Sequence, residues 1–99
     1  MPGVTRDGDA TTTGHGCDAT TTVTGPSTDV FCNSLGVERK TDPTASHDIP
    51  VELLCLPHTS SISGGSAKKV FVNGKLIARI GDACDSGNIT GGSTNVFAG

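Results

Sequence analysis

The sequence predicts an all-β domain, built from three β-hairpin repeats with pseudo-threefold symmetry and closed by pairing of its two termini. Composition, an internal repeat and two complementary chain ends lead to this prediction. Glycine and proline fill 19 of the 99 positions (14 and 5), and threonine and serine together fill 23. These residue types favour turns and short extended segments. With 33% hydrophobic and 3% aromatic residues, a helical bundle is excluded, and we expect residues 1–99 to form a single small domain with a sparse core and no effector extension.

The internal repeat is clearest around the phenylalanines. Each phenylalanine follows a valine, and each Val-Phe pair comes a few residues after a Gly-x-Ser triplet. The pairs are Val30-Phe31, Val70-Phe71 and Val96-Phe97, and the triplets are Gly25-Pro26-Ser27, Gly64-Gly65-Ser66 and Gly91-Gly92-Ser93. Six motif elements in a fixed order make chance similarity among short Gly, Ser and Val segments the weaker interpretation.

A second motif, consisting of arginine, any residue, a small residue and aspartate, also occurs three times. Its copies are Arg6 to Asp9, Arg39 to Asp42 and Arg79 to Asp82. In the two complete repeats, Asn33-Ser34 and Asn73-Gly74 fall at the same place between the motifs. Asn-Gly between two apolar segments is a strong hairpin signal, because both residues tolerate positive φ. Each complete repeat is therefore predicted to be a β-hairpin.

The two ends of the chain complete each other. The third repeat begins at Gly91 and stops where its turn is due, whereas Gly3 to Arg6 has the sequence of a return strand. We therefore expect residues 93–97 to pair with residues 3–7, which would leave no long unpaired edge.

Two further segments carry no repeat motif. Thr41 to Pro57, with Val51-Glu52-Leu53-Leu54 at its centre, is predicted to be a loop with one short turn whose apolar residues pack under the sheet. The threonine runs 11–13 and 20–22 are predicted to be exposed extended chain.

Four side chains are candidate metal ligands. His15, His47, His58 and Cys84 all lie in the connections that follow the Arg-x-x-Asp motifs, which a threefold arrangement would bring together. Imidazole nitrogen and thiolate sulfur in a closed tetrahedron suit one structural zinc ion, and ferrous iron is an admissible occupant. Cys55, in Cys55-x-x-His58, is the chief rival to Cys84, and Cys17 is the next. Otherwise Cys17, Cys32 and Cys55 are interpreted as reduced, partly buried side chains, although disulfides are an alternative.

Charge and hydropathy patterning exclude several classes of function. A net charge of −3 with seven lysines and arginines provides no basic surface for nucleic acid. No apolar run approaches the roughly 20 residues of a membrane span, and the polar start does not resemble a signal peptide, so we expect synthesis in the cytoplasm. We also expect no enzyme activity, because a Cys/His nucleophile would need an oxyanion site and a cleft that so small a polar domain is not expected to form.

The chain resembles the PAAR-repeat family over essentially its whole length. Leu76-Ile77-Ala78-Arg79-Ile80-Gly81-Asp82 stands in the place of the signature Pro-Ala-Ala-Arg-x-Gly-Asp, and Asn95-Val96-Phe97-Ala98-Gly99 closes the chain. The other copies of the tetrapeptide are degenerate, as Gly36-Val37-Glu38-Arg39 and Gly3-Val4-Thr5-Arg6. The likeness therefore lies in the order of the repeats more than in the tetrapeptide itself.

The resemblance implies a sharp, conical, three-sided structural tip. It would cap the trimeric β-helical spike of a contractile injection machine, which is the central spike of a phage tail or the valine-glycine repeat protein of a type VI secretion system. One tip would bind each trimer, contact the target membrane transiently and help to pierce it. An effector is an optional cargo, and the place of assembly is the phage tail (virion) or the secreted spike.

The resemblance also implies a ligand set, since three histidines and one cysteine hold zinc or iron near the apex in this family. His15, His47, His58 and Cys84 occupy the matching places. For spike docking, the expected residues are Val30, Phe31, Val70, Phe71, Val96 and Phe97. The alternative function is that of a metal-stabilised adaptor that recruits a separate effector or binds a host surface component.

Overall fold

All regular structure in the described part of the chain is β. A computed structural model describes residues 2–65, 67 and 69–99, and its Cα atoms span 42 × 23 × 23 Å. No helix within these ranges is long and apolar enough to cross a bilayer. The strands are β1 (Ala10–Thr12), β2 (Thr20–Thr22), β3 (Phe31–Cys32), β4 (Leu35–Gly36), β5 (His47–Val51), β6 (Leu54–His58), β7 (Phe71–Val72), β8 (Lys75–Leu76), β9 (Ala83–Cys84) and β10 (Gly87–Asn88).

Consecutive strands pair as five antiparallel hairpins, β1–β2, β3–β4, β5–β6, β7–β8 and β9–β10. Most of them turn through residues with left-handed backbone, where asparagine, aspartate and glycine are tolerated. Asn73 and Gly74, with φ of 54° and 79°, connect β7 to β8, which confirms the hairpin predicted there. Asn33 and Ser34, with φ of 53° and 68°, connect β3 to β4 at the equivalent place.

Isolated bridges join the segments that follow or precede these hairpins. Three of them connect Val4 to Arg79, Arg6 to Val37, and Arg39 to Ile77. The residues between them exchange backbone hydrogen bonds: Thr5 N–H donates to Ala78 O, Glu38 N–H to Thr5 O, and Ala78 N–H to Glu38 O, each at 3.0 Å. Near the chain ends, a further bridge connects Gly3 to Phe97, and Val4 N–H donates to Val96 O at 3.0 Å.

The Arg-x-x-Asp motif closes a tight turn. In its first copy the Asp9 carboxylate accepts hydrogen bonds from both the backbone N–H and the guanidinium of Arg6. Arg39 and Asp42 repeat these contacts, and Arg79 N–H donates to the Asp82 carboxylate at 2.9 Å. A carboxylate that satisfies a backbone donor and a cation at once explains why both residue types recur at this spacing.

Two small clusters make up the hydrophobic core. The first contains Val4, Cys32, Val37, Ala67, Val72, Ile77 and Ala98, and the second contains Val23, Ile62, Ala78, Cys84 and Ile89. Cys32, Val72 and Ala98 each follow a phenylalanine in the chain, so the first cluster adjoins the Val-Phe pairs. Cys84 of the second cluster is followed in the chain by Asp85.

Of two predictions about segments outside the repeats, one is wrong and the other is wrong in part. The segment 41–57 contributes to the longest hairpin, in which His47 pairs with His58 and Val51 with Leu54, and its apolar residues are largely exposed instead of packed under a sheet. The threonine runs are extended and pair through β1 and β2, and Thr20 and Thr22 are exposed, as predicted. Thr11 and Thr13, however, are fully buried. Ser66, in the second Gly-x-Ser triplet, lies outside the described residues.

Candidate metal centre

Three separate segments bring the histidines together. His15 lies in the loop between β1 and β2, whereas His47 begins β5 and His58 ends β6. Because His47 and His58 are cross-strand partners at the open end of one hairpin, pairing alone places their side chains next to each other. The three rings then pack with centroids 4.9–5.5 Å apart. The convergence of three histidines predicted from the sequence is therefore present.

The fourth member of the group is Asp85. Its Oδ2 atom lies 2.8 Å from Nε2 of His15, 2.8 Å from Nε2 of His47 and 3.3 Å from Nε2 of His58. The two nitrogens of His15 and His47 are 3.3 Å apart, and all four ligand atoms lie within 4.8 Å of one another. His47 is buried and the other three residues are partly buried.

Backbone carbonyls orient two of the rings. His15 Nδ1 lies 3.0 Å from Gly16 O, and His47 Nδ1 lies 2.9 Å from Ala45 O. A carbonyl can only accept, so in each ring Nδ1 carries the proton and, in the neutral form, Nε2 presents a lone pair. Metal-binding histidines typically have this arrangement: one ring nitrogen, here Nδ1, donates a hydrogen bond to a carbonyl, and the other, here Nε2, binds the metal.

A positive charge at the centre would stabilise this group. Lone pairs of neutral imidazoles and a carboxylate oxygen, all turned toward one point, repel one another unless protons or a cation lie between them. Consistent with this, the hydrogen bond to Gly16 O and the contact with Asp85 raise the pKa of His15. Burial alone would raise the pKa of Asp85, but hydrogen bonds to His47 and His15 outweigh it and lower this pKa.

The residues also fit a metal ion. Nε2 of His58 is buried and lies 3.3 Å from Asp85 Oδ2 but makes no hydrogen bond within the described part of the chain, which is costly for a polar atom unless another species binds it. A tetrahedral zinc site with bonds of about 2.0–2.2 Å has edges of about 3.3–3.6 Å, close to the two 3.3 Å separations, whereas the two 2.8 Å separations are hydrogen-bond lengths. Three imidazole nitrogens and one carboxylate oxygen can therefore bind a metal ion.

Asp85, and not its neighbour Cys84, reaches this group. Cys84 lies in β9 with its side chain in the second core cluster, fully buried, where burial raises the pKa of its thiol. Asp85 begins the turn between β9 and β10 with a φ of 55°. The predicted ligand Cys84 therefore does not join the three histidines in this structure. Aspartate tolerates left-handed backbone in a two-residue turn, so Asp85-Ser86-Gly87 was the signal available in the sequence.

The other two cysteines proposed as rivals form a disulfide. Cys17 and Cys55 are bonded, with Cα atoms 5.8 Å apart, so the expectation that both are reduced is wrong, and neither offers a thiolate to the metal group. The bond ties the loop that carries His15 to the hairpin that carries His47 and His58. Cys32 is a free, buried thiol, as predicted.

Five of the six residues predicted to dock on a partner are exposed. Phe31, Phe71 and Phe97 are 61%, 59% and 49% exposed, which is unusual for phenylalanine in a chain with so few aromatic residues. The preceding valines Val30 and Val96 are also exposed, while Val70 is partly buried against the first core cluster. No protein-family model matches this chain, and no curated protein sequence is significantly similar to it.

Proposed function

We propose that this protein is a structural tip that caps the trimeric central spike of a contractile injection machine, a phage tail or a type VI secretion system, and helps it to pierce the target membrane. The observation that carries the proposal is the closed cycle of bridges in which the segments 4–6, 37–39 and 77–79 each pair with the other two. A single chain whose three equivalent segments surround one axis can match a threefold trimer.

Several contacts support pseudo-threefold symmetry around that axis. The three backbone hydrogen bonds among Thr5, Glu38 and Ala78 have the same length and run in one direction around the cycle. Side chains repeat the pattern in two of the three copies: Arg6 Nη1 donates to Asn33 Oδ1, and Arg39 Nη1 donates to Asn73 Oδ1, both at 3.0 Å. These equivalent contacts favour three related sectors over a chance arrangement of hairpins.

Contacts between the two ends of the chain support closure of the third sector. Val4 N–H donates to Val96 O, and Ser93 N–H donates to Val4 O at 2.8 Å. In the complete repeats, the equivalent contacts are Val37 N–H to Val30 O and Ile77 N–H to Val70 O, both at 3.0 Å. The first and last segments would thus serve together as the third hairpin.

The exposed phenylalanines supply the proposed docking surface. One phenylalanine per sector is exposed, in each case beside a residue of the first core cluster. Burying three phenylalanines against a partner would stabilise the complex by several kcal/mol, since each aromatic side chain contributes roughly 1.5–3 kcal/mol when buried. In this arrangement each spike subunit meets one Val-Phe pair.

The metal group would act as a cross-link between segments that are distant in sequence. With four protein ligands the site leaves no place for a substrate, so we propose one structural zinc ion, with iron as the alternative. It would join the loop 13–18, the β5–β6 hairpin and the β9–β10 turn, three segments with few core residues between them. Such a cross-link resists local unfolding under load, and the protein would act mechanically without turnover.

A binding experiment with the trimeric spike protein of the same machine tests this proposal. We expect the triple variant Phe31→Ser, Phe71→Ser, Phe97→Ser to lose at least a hundredfold in affinity, because each contact at such a site contributes more than about 1 kcal/mol. Leu53→Ser, which removes a fully exposed side chain from the β5–β6 turn, is the control and should bind like the unmodified chain. Equal binding by the triple variant would contradict the docking surface.

A further inference from the structure

The β5–β6 hairpin has two different faces. Its register pairs Ile49 with Leu56 and Val51 with Leu54, and because side chains alternate along a strand, these two pairs share one face. Leu53 lies in the turn at the end of this face. We call the five residues Ile49, Val51, Leu53, Leu54 and Leu56 the apolar hairpin face. All of them are aliphatic, and by the same alternation His47 and His58 lie at the base of this face.

Loop 16–18 contacts one edge and the opposite face of the hairpin, although Pro50, Cys55 and Pro57 on that face are exposed. Cys55, cross-strand from Pro50, forms the disulfide with Cys17. Along the strand edge, Asp18 N–H donates to Asp48 O at 3.2 Å, and Asp48 N–H donates to the Asp18 carboxylate at 2.7 Å. The loop 16–18 therefore braces the hairpin from one side, and the apolar hairpin face is left toward solvent.

Exposure increases toward the turn. Leu53 is 100% exposed and Leu54 is 63% exposed, whereas Val51 and Leu56 are 44% and 42% exposed. The hairpin extends about 14 Å from the His47–His58 pair to its turn, given a rise of about 3.4 Å per residue. An aliphatic end of this kind, with the metal group at the base of the hairpin and the disulfide one residue pair from its turn, is a stiff projection with no fold-stabilising role for Leu53.

We propose that the apolar hairpin face inserts into the outer, interfacial layer of an uncharged phospholipid bilayer. This inference rests on the proposed tip function for its biological role, and names the element that first meets the membrane. Transfer of aliphatic side chains from water into the acyl region drives the contact, and the disulfide preserves the shape of the hairpin as it enters.

The size of the surface favours a bilayer over a protein partner or a second copy of the chain. A leucine-sized side chain presents roughly 60–120 Å² of apolar surface, so five of them present at most about 600 Å². A stable protein interface needs about 800 Å² from each partner. A bilayer has no such threshold, because it needs no shape-complementary surface and accepts a convex projection.

Charge identifies the kind of bilayer. No lysine or arginine occurs between Lys40 and Lys68, and the hairpin itself carries Asp48 and Glu52. These carboxylates are repelled by anionic headgroups, so we expect binding to uncharged lipid that changes little with salt. The depth is limited as well, because the edges of a two-stranded hairpin carry unpaired backbone groups that cannot enter the hydrocarbon core without cost.

Vesicle flotation tests the proposal with the isolated, metal-loaded protein. The probe is a phosphatidylcholine vesicle, and we expect the unmodified chain to float with it and Leu53→Ser/Leu54→Ser to lose at least tenfold in the bound fraction. Leu35→Ser, which changes an exposed leucine in the β3–β4 hairpin, is the matched control and should float like the unmodified chain. Binding that requires phosphatidylserine and disappears at high salt would overturn the proposal, as would equal flotation of all three proteins.

Fluorescence gives a second, independent measurement, because the chain contains no tryptophan or tyrosine. Leu53→Trp replaces a fully exposed side chain and should shift its emission to shorter wavelength when phosphatidylcholine vesicles are added, whereas Leu35→Trp should not. No shift at position 53 would overturn the proposal, and so would a concentration-dependent dimer abolished by Leu53→Ser/Leu54→Ser. Failure of spike binding leaves both measurements unaffected, so the two proposals fail separately.

Discussion

Asp85 joins the histidines because it occupies a turn instead of a strand. Along β9 the side chain of Cys84 points into the core, and the next residue has left-handed backbone that turns its carboxylate toward Nε2 of His15 and His47. A shift of one residue thus replaces a thiolate by a carboxylate. Both are ligands that zinc accepts, with bonds of about 2.3 Å to sulfur and 2.0–2.2 Å to oxygen.

Substitution at these two neighbours distinguishes their roles. We expect Asp85→Asn to lower zinc affinity, because it removes the only negative charge in the group. The loss should be at least about 10–100-fold, the effect of removing a residue that only contacts a metal ligand. Cys84→Ala should retain about one metal ion per chain and lower only the free energy of unfolding, by leaving a small cavity in the second cluster. Metal content per chain, measured by elemental mass spectrometry after dialysis, checks both. The opposite pattern, with metal lost from Cys84→Ala alone, would contradict the ligand set.

Glu38 is the other residue with an unusual environment. It is fully buried among the segments at the centre of the bridge cycle, and within the described residues neither carboxylate oxygen has a hydrogen-bond partner. Burial, together with the negative charges of Asp42 and Asp7, raises the pKa of Glu38 to about 9, although Arg39 opposes the shift. The side chain is therefore neutral in the folded protein at pH 7.

The buried glutamate makes stability depend on pH. In the unfolded chain its pKa is about 4.3, so between about pH 5 and 9 the folded state holds one more proton, and the free energy of unfolding falls as pH rises, by up to about 1.4 kcal/mol per pH unit. We expect Glu38→Gln to remove this slope, and Glu52→Gln, in the exposed hairpin turn, to leave it unchanged. Urea unfolding at a series of pH values from 5 to 9 measures this slope of the free energy of unfolding. Parallel curves for Glu38→Gln and the unmodified protein would show that Glu38 ionises normally.

At the level of elements, the hairpins differ in how well the sequence indicates them. Asn73-Gly74 between two apolar segments predicts β7–β8 directly. The β5–β6 hairpin has no such signal, because its turn is Glu52-Leu53, its strands contain Pro50 and Pro57, and Glu52 adopts a φ of 58°. Apolar side chains at Val51 and Leu54 predict burial, yet they project into solvent. The structure of this element depends on contacts with the loop 16–18, which are distant in sequence.

The disulfide is the main covalent support of this element. A closed loop with a sequence separation of 38 lowers the entropy of the unfolded chain enough to stabilise the fold by about 3–4 kcal/mol. We expect Cys17→Ser/Cys55→Ser to lower the melting temperature by more than about 10 °C, as measured by differential scanning calorimetry. Dithiothreitol should lower the melting temperature of the unmodified chain and leave that of the double variant unchanged. A melting temperature of the unmodified chain that is insensitive to the reductant would contradict a stabilising disulfide.

At the level of the whole molecule, the sequence predicts the type of structure better than its long-range contacts. Glycine, proline and threonine content predicts an all-β chain, and the structure confirms it without a helix in its described ranges. The place of the histidines in the connections after the Arg-x-x-Asp motifs predicts their convergence. Contacts between separate hairpins determine the rest: the Cys17–Cys55 bond, the position of Asp85 and the burial of Thr11. No local sequence pattern predicts these contacts.

The molecule has a sparse core, and cross-links and a partner would compensate for it. Two clusters of small residues, one disulfide and one candidate metal group are distributed along a molecule 42 Å long and 23 Å wide. Domains with so little apolar surface commonly depend on such cross-links. In the proposed assembly, the exposed phenylalanines would gain their burial from the spike, so that the partner completes the hydrophobic surface that the chain lacks.

The stoichiometry of the complex with the spike tests the central claim most directly. A chain with internal pseudo-threefold symmetry should bind the end of a trimer once, whatever its concentration. Native mass spectrometry of the assembled complex measures this ratio, and we predict one copy of this protein, with one bound metal ion, for three spike chains. A complex with three copies for three spike chains would contradict the capping account.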